Sequence, residues 1–399
     1  ITEDMNRDGL RVIAVAQKSY VEKGCEFSVA DEDDMVLIGY LAFLDPPKPS
    51  AADAIHKLEE NGVQVKVLSG DNEAIVKTIA RHIGMDSTKS LTGMQIDAMS
   101  DDELKDKLPD TVLFSKLTPL AKSRIITILQ DLGNTVGFMG DGINDAAALR
   151  QSDVGISVDS GVDIAKESSD IILLEKDLMV LEDGVIEGRK TFGNMMKYIK
   201  MTTSSNFGNM FSVLAASAFL PFLPMMPVHL LIQNLLYDTS QISIPFDKFD
   251  GEYLKKPRRW DASDLSRFML CIGPISSVFD ILTYLLMWYV FGCNSPAHQS
   301  LFQSGWFVEG LISQTLIVHM IRTRRIPFIQ SRASWPVMGL TLLIMALGCV
   351  IPFTRLGAAI GLVPLPLSYF FWLIGILFCY CMLTQIVKRL YVRKFGTWL

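Results

Sequence analysis

Hydrophobic and polar positions follow two different rhythms along this chain. Over roughly the first half, short apolar runs bounded by glycine or proline alternate with stretches whose apolar residues recur at helical spacing. Residues 10–16 are strand-like. Residues 35–43 (MVLIGYLAF) run apolar into Asp45-Pro46-Pro47-Lys48-Pro49, which predicts a buried strand and then a stiff hinge. Residues 50–61 are helical, with Ala54, Ile55 and Leu58 on one face and Gly62 as the stop. Residues 63–68 predict a strand, 69–72 a turn, and 73–83 a helix closed by Gly84. Further on, 119–132 predict a helix, and 136–139, 154–158 and 171–174 predict strands. Alternation of this kind implies a parallel sheet wound on both faces, with ligands at the carboxyl ends of its strands.

After Glu187 the rhythm changes. Helical residues continue through Lys190, Lys197 and Lys200, and six long apolar segments follow: 202–223, 228–246, 268–291, 301–320, 335–353 and 365–387. Most reach the ~20 residues a bilayer span needs. The loops between them alternate in charge. Lys248, Lys255, Lys256, Arg258 and Arg259 fill one; Arg322, Arg324, Arg325 and Arg332 fill another; Lys388, Arg389, Arg393 and Lys394 follow the last segment. The opposite loops carry no Lys or Arg, apart from Arg355. This asymmetry predicts that the α/β part, the basic loops and the C-terminus face the cytoplasm.

Composition adds three limits. The 399 residues carry a net charge of −6 and no basic stripe in the α/β part, which argues against nucleic acid as a partner. The cysteines (Cys25, Cys271, Cys293, Cys349, Cys379, Cys381) are scattered without metal-binding spacing and read as small buried hydrophobes. The chain opens ITEDMNRDGL, without Met or signal peptide, and reads as the middle of a larger protein.

The chemistry gathers at predicted strand ends. Asp141 and Asp145 follow one strand in FMGDGINDAAALR; Ser69 and Asp71 follow another; Lys122 lies on the helix after Thr118-Pro119. Two carboxylates on one turn suit Mg2+, which takes a few oxygens and keeps waters and phosphate oxygens. A hydroxyl and an ammonium nearby would hold phosphoryl oxygens. Gly140 and Gly142 would let the backbone approach the ion. Together they predict phosphoryl transfer, although Asp-Gly is also a common turn and Asp145 could simply cap the next helix.

These motifs, in this order, resemble the C-terminal part of a P-type ATPase, an ion pump of the haloacid dehalogenase superfamily. Leu44-Asp45-Pro46-Pro47-Lys48 is similar to the family's DPPR hinge with Lys for Arg; Ser69-Gly70-Asp71 resembles TGD with Ser for Thr; Thr118-Pro119 with Lys122 resembles TPxxK; Gly140 to Asp145 resembles GDGxND. Arg11 matches a family position that reaches the nucleotide phosphates. The resemblance implies a haloacid dehalogenase-like α/β cytoplasmic domain followed by an all-α bundle of six transmembrane helices. It implies residues 1–44 as the end of the nucleotide-binding domain, 45–190 as the phosphorylation domain and 191–399 as the membrane domain. Implied cofactors are ATP and Mg2+. The resemblance puts Ser69, Gly70, Asp71, Lys122 and Asn144 in catalysis, and Arg11, Asp45, Lys48, Ser69, Asp71 and Lys122 toward the nucleotide and its phosphates. Asp141 and Asp145 fall at the catalytic Mg2+. The family's phosphorylated DKTGT aspartate and its TGE motif are absent from this sequence, which implies an N-terminal half of the same pump as partner.

The transported ion needs polar groups among the apolar segments, where they are costly and therefore functional candidates. Asn206 and Asn209 share a helical face; Asn234, Asp238 and Gln241 form a stripe; Glu309 lies in the fourth segment. By resemblance, calcium pumps carry Glu where this chain has Asn209 and Thr where it has Tyr237. A Ca2+ cage is thereby under-supplied, and few carboxylates suit Mg2+. The membrane half looks most like the bacterial magnesium-transporting P-type ATPases, which implies Mg2+ import across a Gram-negative inner membrane. A proton or calcium pump is the alternative. A non-catalytic phosphatase-like sensor tethered to membrane helices is a reading of another class, and a DKTGT motif upstream or on a partner chain would decide against it.

Overall fold

The computed structural model describes the chain except residues 1, 3–4, 6–9, 20–27, 30–31, 45–46, 176 and 399. Asp45 and Cys25 therefore lie outside the described residues, and Arg11 is described by its backbone alone. The chain divides into two compact units, Ile1–Val185 and Ile186–Leu399.

Unit 1 is α/β. Its elements are β1 (Leu10–Gln17), β2 (Val36–Leu44), α1 (Ala51–Glu60), β3 (Val67–Leu68), α2 (Glu73–His82), β4 (Ser90–Thr92), α3 (Gly93–Ala98), α4 (Asp101–Lys107) and β5 (Leu113–Ser115). After these come α5 (Pro119–Asp131), β6 (Gly137–Met139), α6 (Ala146–Gln151), β7 (Val154–Val158), α7 (Asp163–Glu167) and β8 (Ile171–Leu173). Among the described residues β3 to β8 form two three-stranded parallel sheets, ordered β3-β5-β4 and β6-β7-β8, in place of the single sheet expected, and β1 pairs with β2 apart from them. Leu68, at the end of β3, packs both with Phe114 and Leu117 and with Phe138 of β6. That shared side chain joins the cores beneath the two sheets.

Two expectations are corrected here. The alternation of residues 63–68 reads as a strand, yet only Val67 and Leu68 join a ladder, against β5. Lys66 turns instead to three carbonyls, those of Leu108 (2.7 Å), Pro109 (3.3 Å) and Thr111 (2.6 Å). Burial pushes its amine below the usual lysine range. The run at 35–43 is a strand but not a buried one. β2 pairs antiparallel with β1 alone, and Leu37, Ile38, Leu41 and Phe43 are at least half exposed. Among the described residues neither face of this two-stranded ribbon is covered by a further strand, so an apolar run here does not mean burial.

Unit 2 is helical. α8 (Leu178–Phe219) is a continuous helix of 42 residues, so the first apolar segment is the end of an element that begins well before it. α9 (Pro227–Gln241), α10 (Gly251–Leu254), α11 (Ala262–Leu285), α12 (Gln299–Ile321), α13 (Trp335–Val350), α14 (Arg355–Ala359) and α15 (Leu367–Phe395) follow. Three spans, Ala262–Val290, Trp335–Phe353 and Leu367–Phe395, are long and apolar enough to cross a membrane. α12 differs in kind: nearly all of its residues are buried, Glu309 and Gln314 among them. α9 has 15 residues, about 22 Å at 1.5 Å rise per residue, short of a ~30 Å hydrocarbon core.

Polar groups hold these helices together. Asp247, after α9, accepts from Lys197 Nζ of α8 (2.9 Å) and Arg322 Nε at the end of α12 (2.8 Å), all three side chains being at most 2% exposed. α8 and α11 meet at glycines: a Cβ on Gly273 would lie 2.8 Å from Phe207 and 3.1 Å from the Ser204 carbonyl, and one on Gly208 would collide with Ser276 Oγ. Small residues of this kind let helix backbones approach closely.

Candidate functional site

Two carboxylates follow β6, and their surroundings differ. Gly140 follows β6 and donates its N–H to Ile156 O of β7 (3.0 Å). A Cβ here would sit 2.6 Å from Asp145 Cβ and 2.8 Å from its Cγ, so only glycine lets the turn fold back over Asp145. Asp145 begins α6, but its side chain does not cap that helix. One carboxylate oxygen accepts the Gly142 N–H (3.2 Å) and the other pairs with Lys122 Nζ at 2.7 Å, with both side chains largely buried. The capping alternative is thereby excluded by geometry. Asp141 and Asn144, by contrast, are exposed on the same turn.

Lys122 is positioned by its helix start. Thr118 is the N-cap of α5 and accepts the Ala121 N–H at 3.2 Å, and Pro119 occupies the first turn, where its missing N–H costs nothing. Lys122 therefore leaves α5 one turn in, aimed at Asp145. The segment before Thr118 is tied to the Ser69 turn. Lys116 N–H donates to Asp71 O (2.9 Å) and Leu117 N–H to Ser69 O (3.0 Å), with Lys116 held at φ 51°, an unusual value for a side-chain-bearing residue. Ser69 Oγ accepts the Asp71 N–H (3.1 Å) and donates to Asp71 Oδ2 (3.2 Å). The structure thus links Ser69, Gly70 and Asp71 to the start of α5, and α5 to Asp145. Lys48 is exposed, and the hinge residue Asp45 is undescribed.

Can this turn hold a cation? Among the described residues no group of three or more His, Cys, Asp or Glu side chains is gathered for a metal. Asp141 on a turn free of side-chain bulk at Gly140 and Gly142 fits an ion that takes one or two protein oxygens and keeps its waters. Asp145 fits a supporting part, since each of its oxygens already has a donor.

In unit 2 the sequence-predicted residues separate. Asn206, Asn234 and Asp238 are exposed, Asn209 is half-buried, and Glu309 is fully buried. Among the described residues no hydrogen bond joins any two of these five side chains. Gln241, on the same predicted stripe as Asp238, is buried within reach of Thr202 Oγ1 (3.3 Å). Sequence reasoning missed Asp280. It stands alone among apolar residues in Val278-Phe279-Asp280-Ile281, the signal that singled out Asp238, and it is 2% exposed.

Comparison with known proteins now adds to this geometry. Residues 13–153 match the family model for haloacid dehalogenase-like hydrolases, and residues 222–390 match that for the cation transporting ATPase C-terminus. A protein of Salmonella typhimurium, "Magnesium-transporting ATPase, P-type 1", is 60% identical over 399 residues. This chain belongs to the P-type ATPases. An Escherichia coli protein of the same name is 59% identical over 396 residues, and the "Calcium-transporting ATPase 1" of Lactococcus lactis is 30% identical over 289, or 70% of the chain. The P-type ATPase chain covers 44% of the length of each magnesium-transporting relative and 33% of the calcium-transporting one. The GDGIND turn, with Lys122 upon it, lies inside the hydrolase match, and Asp280 and Glu309 lie inside the C-terminal match.

Proposed function

We propose that this chain is the C-terminal part of an ATP-driven pump that imports Mg2+ across a Gram-negative inner membrane, through an aspartyl phosphate formed outside this chain. The observation that carries the reading is 60% identity along the whole chain to a protein named for magnesium transport. In this reading residues 1–44 end the nucleotide-binding domain, 45–190 belong to the phosphorylation domain and 191–399 form a bundle of six membrane helices. Unit 1, the basic loops and the C-terminus face the cytoplasm, in keeping with the charge asymmetry of the loops.

The chemistry follows from the turn. Asp141 would hold the catalytic Mg2+, which when bound offsets phosphoryl charge. Lys122, fixed by Asp145, brings a positive charge to the phosphoryl oxygens without having to reorganise. The Ser69 hydroxyl, set by Asp71, donates to one of those oxygens. Asn144 and Gly70 complete the rim, and Arg11, Asp45 and Lys48 serve the nucleotide side. Asn206, Asn209, Asn234, Asp238 and Glu309 supply oxygens to the transported ion.

The test is growth and uptake. The full-length parent is expressed in a bacterium stripped of its magnesium importers, at low external Mg2+, beside Asp141→Asn and Asp238→Asn. Rescue by the parent and by neither variant is expected. Failure of the parent to rescue while folded in the membrane would overturn the choice of ion.

A further inference from the structure

Among the described residues, the interior of unit 2 holds carboxylate oxygens that receive no well-formed hydrogen bond. The glycine crossing of α8 and α11 sets the geometry. One turn beyond Gly208, Ser212 Oγ donates to Asp280 Oδ2 at 2.6 Å. From α12, Trp306 donates its indole N–H to Asp280 Oδ1 at 2.8 Å. Asp280 is thus fixed by two donors from two helices, and each of its oxygens keeps an acceptor direction open. Glu309 lies one turn beyond Trp306 and is 0% exposed; its carboxyl faces Asp280 and Ser313, and among the described residues neither of its oxygens receives a well-formed hydrogen bond. Tyr284 lies one turn beyond Asp280. Its hydroxyl lies near Ser212 and both carboxyl groups without a well-formed hydrogen bond, and its ring packs edge-on to Trp306.

Apart from the Trp306 N–H, the groups here are acceptors or hydroxyls. No Lys, Arg or His stands among the charged groups acting on either carboxyl. Two carboxylates buried together without a cation are unfavourable, because desolvation is not repaid. A single shared proton would join one oxygen of Glu309 to Asp280 and leave the other to Ser313, whose hydroxyl already donates to Gly310 O at 3.1 Å. A divalent cation that keeps part of its water shell serves all of them and matches the double negative charge.

We propose that Asp280 and Glu309 form a closed divalent-cation site inside unit 2, with Asp280 the ligand contributed by α11 and Ser212 and Trp306 its positioning residues. It takes Glu309 from the proposed transported-ion residues and adds Asp280, both buried, whereas Asn234 and Asp238 on α9 are exposed. The inference deepens the reading of the chain as part of a cation pump and rests on it for the ion's route, but binding can be measured apart from transport.

The experiment counts ions. Mn2+, a paramagnetic stand-in for Mg2+, is titrated into the purified full-length parent carrying Asp141→Asn, which silences the cytoplasmic turn, and bound metal is read by electron paramagnetic resonance. Adding Glu309→Gln, which keeps the side chain's shape, is expected to remove one bound Mn2+, and adding Asp280→Asn to remove the same one. Should Asp280→Asn fail to fold, Glu309→Gln alone decides. An unchanged Mn2+ count and affinity in folded Glu309→Gln would overturn the site and leave a proton-sharing pair. A parent that fails to import Mg2+ yet loses one Mn2+ with Glu309→Gln would sink the pump reading and keep the site.

Discussion

Asp247→Asn is expected to destabilise unit 2 more than its single-atom change suggests. One carboxylate serves two cations, Lys197 at 2.9 Å and Arg322 at 2.8 Å, and its second oxygen lies 3.4 Å from the Ser334 N–H. Breaking a buried ion pair by removing one partner costs about 3–5 kcal/mol, because the other charge is left uncompensated. Here two cations are stranded, so the upper end of that range is expected. Lys197→Met leaves a balanced Asp247–Arg322 pair; its loss is that of a charge-assisted hydrogen bond, about 1.5–3 kcal/mol, plus the contact of Lys197 Nζ over the Phe249 ring at 3.8 Å. In the double variant one stranded cation is gone, so the two losses should fall short of additivity by about 1–3 kcal/mol. The assay is unfolding of the purified full-length parent in mixed detergent micelles, followed by tryptophan fluorescence, for the four corners of the cycle. A loss below about 1 kcal/mol for Asp247→Asn, or strict additivity, would refute the reasoning.

Other outcomes are equally specific. Lys122→Met in the full-length parent should lower phosphoenzyme formation by a factor of about 100 or more, the scale of one lost electrostatic donor, with nucleotide binding retained; unchanged labelling by radioactive ATP would remove Lys122 from the site. Gly140→Ala should do comparable damage through Asp145, since its Cβ would fall 2.6 Å from that of Asp145, and a normal rate of phosphorylation would show that the turn yields cheaply. Gly208→Leu should prevent α8 from reaching α11 and lower the yield of folded protein on size exclusion, while Gly184→Leu, in open surroundings, should not. Lys66 binds its proton less tightly folded than unfolded. Between its lowered value and the usual 10.5 the unfolded chain therefore holds more protons, and stability of unit 1 should rise with pH through that window. Lys66→Met should flatten that rise in thermal unfolding at alkaline pH.

Much of the α/β unit was legible because its signals are local. Gly62 and Gly84 ended their helices, Thr118-Pro119 began one, and residues 154–158 form a strand with the expected bounds. β4 escaped because Ser90-Leu91-Thr92 holds a single apolar residue, and β5 because Leu113 and Phe114, though buried, read as a lead-in to Thr118. The helical stripe on α9 was geometrically sound, but periodicity fixes a face and not its neighbour: Asp238 is exposed and Gln241 buried. The role of Asp145 needed coordinates, since only the distance to Lys122 separates a helix cap from a held carboxylate. Asp280 was visible in the letters and passed over, because its donors Ser212 and Trp306 lie 68 and 26 residues away.

The β1–β2 ribbon bears on how this chain would behave at the bench. Produced on its own, it would carry Ile38 at 61% exposure, Leu41 at 53% and Phe43 at 50% into solution, beside strand edges with unused backbone donors and acceptors. In detergent, molecules meeting edge to edge extend one another's ladders, a self-association that covering the apolar membrane helices leaves untouched. Charged residues substituted at Ile38 and Leu41 would improve recovery of the isolated chain without touching the GDGIND turn.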